Sequence, residues 1–522
     1  MSRSRARLLL PVAIALGAGA LYAETRVLVH RFDAVTYMLA AASDDPARWF
    51  NPHHLLYVWL ARGVAALVGA ASPGAAMAWV SAVAAAAALA VQAALLGALI
   101  PGAGWTLAGS ALLGLSGAFW VSATEPDVYA LTVATLVGAA ASGVRAAATG
   151  RTRWHAAAGV LTALSILVHQ LAVLFALAYA ASLAFAGRGG RPRALGAFLV
   201  PAVGVSAAAY LGIGVAFGLF ADPASFLAWA TTYGRSGYWG IFRARNLVDG
   251  LYGLLYALAP GAGGLVPPLL VRAVSALGLA AAAWGVWRWT RATWPSAPHR
   301  AASTLCLAWL AAYVPFIVWY APFHTPLWLL VLPPLGLLLA GAGAAAARAP
   351  SPGRRGAALA LGVVLAVGAL SYVRVVWPLT RPENDVETRF AARALATLPA
   401  DARVVAPIGV AAQLLAERLG RDAVFVVPHA PSARETRAEV LARLSGFVAG
   451  ARRAERPTFV FASLLGPAPA GSRWSDAELR RAVSAFLAAA AGAARLGVLD
   501  TAELAQPLRR HPLDPTGRGA AG

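Results

Sequence analysis

The chain has 522 residues, 59% hydrophobic and 12% charged, with a formal net charge of +21. A soluble domain carries about 25% charged residues, so this composition excludes an ordinary water-soluble enzyme and reads as a polytopic membrane protein. The positive charge does not signal nucleic acid, because the arginines cluster at the ends of apolar runs, as the positive-inside rule requires, and no basic, aromatic-interleaved module is present.

In chain order, the first 23 residues place Arg3, Arg5 and Arg7 before an apolar run, which reads as an uncleaved signal-anchor helix. Apolar runs follow at 53–71, 76–100, 104–121, 127–147, 154–168, 170–187, 194–219, 266–287, 302–320, 326–347 and 356–377. Arginine-rich turns near 145–153, 188–193, 288–300 and 348–355 read as cytoplasmic. Residues 24–52, 123–127, 168–170, 220–265, 321–325 and 378–522 are then external. Both His53 and Glu125 should be external, yet three apolar runs separate them. One run must therefore not span, and the Gly- and Ser-containing run 104–121 is the candidate, which leaves about 11 spans. Residues 220–265 interleave aromatics with Arg235, Arg243 and Arg245, as at a lipid–water interface, and 246–260 reads as a helix at that interface.

Past Trp377 the composition changes. Extended segments at 404–409, 423–428 and 458–464 alternate with helical ones at 410–420 and 434–449, which predicts a small α/β domain with a partly parallel sheet. The expected division is a membrane domain over 1–378, an external α/β domain over 379–512 and a disordered tail over 513–522.

Ionisable groups concentrate in the loop RVLVHRFDAVTYMLAAASDDPARWFNPHHLLY, residues 26–57. Asp33 is placed to act as a base toward an acceptor hydroxyl or, equally, to cap a helix. His53 and His54 open the second run, where they can handle phosphate or protons, fill the interface or, less readily, bind a metal. Glu125, Asp127 and Tyr129 sit at a helix start, where acids also satisfy the helix dipole. His169 lies between two spans, and boundary polar groups in a bundle tend to be functional, although a plain hairpin turn is the alternative. His324, with Arg235, Arg243 and Arg245, could hold a phosphodiester; anionic lipid headgroups would suit those arginines as well. All 43 basic residues are Arg, so no Lys serves as base or Schiff-base group. The lone Cys306, in an apolar run, excludes a disulfide framework. There is no P-loop, dinucleotide-binding fingerprint, H-E-x-x-H or G-x-S-x-G motif, so the energy of any reaction must come from the substrate.

Three segments carry a family resemblance: FDAVTYMLAAAS (32–43) with NPHHLLYVWLA (51–61), WVSATEPDVYAL (120–131) and LTALSILVHQLAVL (161–174). In order and spacing over residues 1–180 they resemble the GT-C superfamily of polyprenyl-phosphate-sugar-dependent glycosyltransferases. The nearest branch is the protein-O-mannosyltransferase-like one (DUF2723, transmembrane protein 260-like). Two features depart from its pattern: Pro126 and Asp127 intervene where that branch reads E-V-Y, and the His-Pro order is inverted at Pro52-His53. The resemblance implies a mainly α membrane bundle of GT-C type. It implies Asp33 as base of an inverting transfer, Glu125 or Asp127 in the acceptor or sugar pocket, and His53, His54, His169 and His324 near the donor phosphate. It implies a polyprenyl-phosphate-sugar donor, mannose as the leading sugar, a protein or glycan acceptor and no metal or other cofactor. The rival readings are a transporter or flippase of lipid-linked sugars, disfavoured because the ionisable groups lie at the boundary rather than the midplane and no repeat is evident, and a non-catalytic assembly subunit.

Overall fold

A computed structural model describes residues 3–70, 72–186, 191–232, 240, 244–260, 283–346, 350–428, 436–465, 477–494 and 496–505. The N-terminal part is a helical bundle: α1 (Arg3–Glu24), α2 (Phe32–Ala42), α3 (Pro46–Trp49), α4 (Tyr57–Val68), α5 (Pro73–Leu99), α6 (Ala103–Gly114), α7 (Gly117–Thr124), α8 (Val128–Thr149), α9 (Arg153–Val168), α10 (Val173–Ala186), α11 (Arg191–Ala216), α12 (Pro223–Ala230), α13 (Asn246–Leu258), α14 (Ala297–Tyr320), α15 (Leu332–Ala346) and α16 (Pro350–Ser371). Among the described residues six helices are long and apolar enough to cross a membrane: Pro73–Leu99, Val128–Thr149, Arg191–Ala216, Ala297–Tyr320, Thr325–Ala346 and Arg355–Leu379. The protein is a multi-pass membrane protein. Leu9–Glu24, Arg153–Val168 and Gln170–Phe185 are apolar but shorter. Most of the predicted run 266–287 lies outside the described residues, as does the tail 513–522.

The packing identifies which run does not cross. α5 runs antiparallel to α1: a Cβ on Gly19 would meet Ala86 at 3.9 Å, and the Arg26 guanidinium stands 5.8 Å over Trp79. At the far end of α5 the carbonyl of Leu99 is 2.7 Å from the His299 ring. α6 starts at that far end, where a Cβ on Gly104 would meet Ala357 at 3.0 Å. It climbs until the Tyr22 hydroxyl donates to the Gly114 carbonyl at 2.9 Å. After a 65° bend, α7 continues to Glu125. The run 104–121 therefore traverses the bundle as a broken helix, contrary to the expectation from its Gly and Ser content. The run that stays at one end is 53–71. Its helix α4 has 12 residues, about 18 Å against a hydrocarbon core of about 30 Å. Arg62, in mid-helix, donates to the carbonyls of Ala41 and Ser43 and lies 4.0 Å over the Trp49 ring. Trp59, Leu67 and Val68 face outward, so α4 presents an apolar face at its surface.

Glycines let the traversing helices approach closely, as small residues do in membrane bundles. A Cβ on Gly159 of α9 would run into the Phe198 carbonyl of α11 and stand 2.7 Å from Pro201 Cγ. Gly159→Ala is expected to force the pair apart at a cost of about 1–3 kcal/mol, read as a lower thermal unfolding midpoint in detergent.

Beyond the bundle, β1 (Arg403–Pro407), β2 (Val424–Val427), β3 (Thr458–Phe461) and β4 (Gly497–Leu499) form a sheet in the order β2-β1-β3-β4. Every pairing is parallel, with Val405 opposite Phe425 and Val460. Both faces are covered by α17 (Val386–Thr397), α18 (Val410–Leu419), α19 (Arg437–Arg453) and α20 (Ala477–Ala494), which is why the strands read as unbroken apolar runs rather than alternating ones. The predicted segments at 404–409, 410–420 and 423–428 carry elements of the predicted type, as do the described residues of 434–449; of the predicted extended segment 458–464 only 458–461 is a strand, and 462–464 belong to a short helix, Ala462–Leu465; α17, α20 and β4 are additional to the predicted elements. The unit leans on the ionisable loop. Gln413 donates to the Thr36 hydroxyl at 2.6 Å, and Arg48 makes two bonds of 2.8 Å to Glu417. The backbone N–H groups of Leu28 and Val29 both donate to the Leu379 carbonyl, at 2.8 and 2.9 Å.

Candidate active site

Several segments distant in sequence meet at the end of the bundle near α4. The Glu-Pro-Asp turn between α7 and α8 is fixed by Asp127, whose side chain accepts from the Tyr129 N–H at 3.3 Å and so caps α8. Ser81 of α5 locks the same turn, accepting from the Asp127 N–H at 3.2 Å and donating to its carbonyl at 3.1 Å. Arg31, just before α2, reaches over this turn. Its guanidinium binds Glu125 and also donates to Asp127 Oδ2 at 2.9 Å; Ser122 donates to the same oxygen at 2.7 Å. Glu125 and Asp127 are buried, whereas the Arg31 side chain is 34% exposed. Burial drives both carboxyls above their ordinary values, and Arg31 opposes this.

Asp33 is the second residue of α2. The N-cap position is Arg31, with no side-chain cap bond, so Asp33 does not cap the helix. It accepts no hydrogen bond from any described residue, and its side chain is exposed. Loss of surrounding water raises its carboxyl above the ordinary value, against the pull of Arg31. A carboxylate in this state is a better proton acceptor at neutral pH than a free Asp.

Behind Asp33, Tyr37 of α2 packs edge-on against His54, ring centroids 5.3 Å apart. His53, His54 and His169 form a triangle of rings with centroid separations of 4.5, 4.8 and 5.0 Å, and Tyr129 stands 4.9 Å from His169. The hydrogen bonds define the tautomers. His54 Nδ1 faces the Val168 carbonyl at 3.2 Å and must donate. Gln170 uses its amide nitrogen on the Ala230 carbonyl, so its Oε1 accepts from His53 Nδ1 at 3.3 Å. His169 Nδ1 instead accepts from the Leu171 N–H at 3.2 Å, which puts its proton on Nε2. That Nε2–H is buried without a partner, a donor held ready for a ligand oxygen. Burial lowers the pKa of His53 to about 4 and those of His54 and His169 well below the ordinary value, so the cluster is neutral at pH 7.

His53 therefore makes a pH-dependent contribution. Unfolded, it titrates near 6.5; folded, near 4. The folded state binds fewer protons between these values, so the contribution is present above the unfolded pKa and lost as pH falls toward the folded one. Thermal unfolding of wild type and His53→Asn across this range is expected to show any advantage of the wild type shrinking on acidification.

His324 lies close enough to Arg31 and Asp127 for their charges to act on it, and burial lowers it to about 4. Of the other anticipated phosphate ligands, Arg245 pairs with Asp249 at 3.3 Å and is 65% exposed, and Arg243 lies outside the described residues. Sequence reasoning did not single out Arg31, Ser81 or Ser122. Arg31 had a legible signal, as an arginine two residues before Asp33 in a loop otherwise read as external. Among the described residues no three His, Cys, Asp or Glu side chains are arranged to hold a metal ion.

No protein-family model matches the chain, and no curated protein matches it. Among solved structures, ArnT from Cupriavidus metallidurans bound to undecaprenyl phosphate superposes with a TM-score of 0.53 at 14% identity, over 82% of this chain and 86% of that one. The apo state of the same protein gives 0.52 at 14% identity, over 86% and 92%. The archaeal oligosaccharyltransferase AglB from Archaeoglobus fulgidus, in complex with an inhibitory peptide and a dolichol-phosphate, gives 0.47 at 12% identity, over 78% and 63%. At these identities the likeness is one of fold alone: the mainly α membrane bundle of this chain superposes on ArnT.

Proposed function

We propose that the protein is an integral membrane glycosyltransferase. It moves a sugar, mannose being the first to try, from a polyprenyl-phosphate-linked donor to a hydroxyl of a protein or glycan acceptor. Asp33 takes the acceptor proton as the freed oxygen attacks the anomeric carbon, the bond from that carbon to the phosphate oxygen breaks, and polyprenyl phosphate leaves with the negative charge. Attack from the face opposite the leaving group inverts the anomeric centre. Glu125, Asp127, Tyr129, His53, His54 and His169 would bind the sugar and acceptor, and Arg243, Arg245 and His324 the donor phosphate. No metal or cofactor is invoked. In this reading residues 1–378 hold the catalytic bundle in a bacterial inner membrane, and residues 379–512 stand on the periplasmic face beside the site.

The observation that carries the reading is a carboxylate without a hydrogen bond, Asp33, beside two Arg31-braced acids and a neutral histidine cluster with an unused donor. It occurs in a chain that shares its fold with a protein solved with undecaprenyl phosphate bound. The test is transfer of radiolabelled sugar from a panel of polyprenyl-phosphate donors to membrane acceptors by purified protein in proteoliposomes. Labelled acceptor is expected with one donor class. Labelled donor that crosses the bilayer with no product formed would replace this reading with a flippase.

A further inference from the structure

At the same end of the bundle a cavity is built from other residues. It is a polar cleft of about 440 Å³ between the end of α1 and the chain leaving the bundle, with Arg26, Tyr372, Trp377 and Arg381 among its walls. It shares no lining residue with the Asp33 site. Arg26 and Arg381 have no ion-pair partner among the described residues; each guanidinium rests over a tryptophan, Trp79 and Trp377, at 5.8 and 4.4 Å. Glu24 also lines the cleft, so the ionised walls sum to one positive charge. Tyr372 opens a π-helical turn, Tyr372–Val376, and stacks on Trp120 at 5.8 Å. Such turns are rare and often accompany binding sites.

Next to it along α1 lies an apolar groove of about 180 Å³ between α1 and α6, lined by Ile14, Gly17 and Leu21 on one side and Leu107, Ala111 and Leu115 on the other. The groove follows α1 over residues 14–22 and the cleft takes over at residue 23. At 1.5 Å per residue, Ile14 lies about 13 Å deeper than Ala23. The outer faces of the flanking helices are exposed and apolar, with Leu16 69% exposed on α1 and Leu359 71% on α16. A cationic, aromatic-walled cleft above an apolar groove on a lipid-facing seam complements the shape and charge of an anionic amphiphile.

We infer that this seam is a binding site for an anionic phospholipid, its phosphate between Arg26 and Arg381 and one chain in the groove along α1. The inference stands whether or not Asp33 is a base. The cleft wall includes the segment whose Leu379 carbonyl holds Leu28 and Val29, so the lipid would also brace the root of the sheet unit against the membrane.

The test is native mass spectrometry of the full chain in detergent, titrated with phosphatidylglycerol or phosphatidylcholine. Wild type is expected to retain phosphatidylglycerol preferentially. R26Q/R381Q is expected to bind it roughly 30-fold more weakly, the loss of two arginine contacts at a membrane surface. Gly17→Leu attacks the other half: a Cβ there meets nothing within 4 Å, so the leucine fills the groove on an otherwise unchanged helix and should also abolish retention. Retention unchanged in both variants would overturn the proposal, as would equal retention of phosphatidylcholine. Displacement of the lipid by soluble glycerol 3-phosphate would overturn it in favour of a free-phosphate site.

Discussion

Asp33→Asn is expected to lower sugar transfer by about 100- to 10,000-fold, the usual contribution of a positioned general base. The substitution keeps the side chain's size. It breaks no hydrogen bond within the described structure, because Asp33 accepts none. An ionised Asp in the first turn of a helix gains at most about 1 kcal/mol from the dipole, and the crowding that raises the Asp33 carboxyl shows that its surroundings do not favour the charge. The variant should therefore fold and unfold like the wild type. Donor binding should be little changed, since the lost interaction acts only as the acceptor proton departs. Single-turnover transfer with labelled donor, set beside donor binding, separates these quantities. Transfer at the wild-type rate would mean that Asp33 is not the base. Transfer lost together with thermal stability would mean that it supports α2.

How much of this was legible depends on the kind of signal. The parallel strands could be read because burial on both faces makes a strand a continuous apolar run, as in VVA at 404–406 and VFVV at 424–427. The set of segments that meet was also legible: the parity of the arginine-rich turns puts residues 24–52, 123–127, 168–170 and 321–325 at one end, and Asp33, Glu125, His169 and His324 do converge. Gly and Ser content is a poorer guide to the non-crossing run than charge. Small residues in a membrane helix allow close packing, as at Gly109 against Ala340, whereas Arg62 in mid-run cannot sit at the bilayer centre without a partner. The lone arginine of the run 53–71 was the stronger evidence. Arg31 was overlooked for a related reason: its role appears only when Glu125 and Asp127, more than 90 residues away, are brought beneath it. The tautomers of His54 and His169 rest on backbone partners, the Val168 carbonyl and the Leu171 N–H, which no residue pattern reveals.

Arg31 carries the second large prediction. Removing one partner of a buried ion pair typically costs 3–5 kcal/mol, and with Arg31 one-third exposed the lower end, about 3 kcal/mol, is expected for Arg31→Gln. The cost arises from what remains: Glu125 and Asp127 would stay buried side by side with no cation between them. Their carboxyls, already raised by burial, would rise further once the Arg31 attraction is gone. A carboxyl whose folded pKa exceeds its unfolded one adds stability below the unfolded value and loses it as pH climbs through the folded value. Arg31→Gln should thus be least stable above neutral pH and recover on acidification toward pH 4, more steeply than the wild type. Arg31→Gln/Glu125→Gln removes one charge from each side and should regain much of the loss at pH 7.5, a coupling expected only of groups in contact. Thermal unfolding of Arg31→Gln, Glu125→Gln and the double variant beside the wild type, at pH 7.5 and 5, measures both effects. A pH-independent loss that Glu125→Gln does not relieve would mean that Arg31 acts through packing alone. If the coupling is found, transfer activity in the double variant shows whether the acids merely hold the turn or also bind substrate: the first role survives loss of the Glu125 charge, and the second does not.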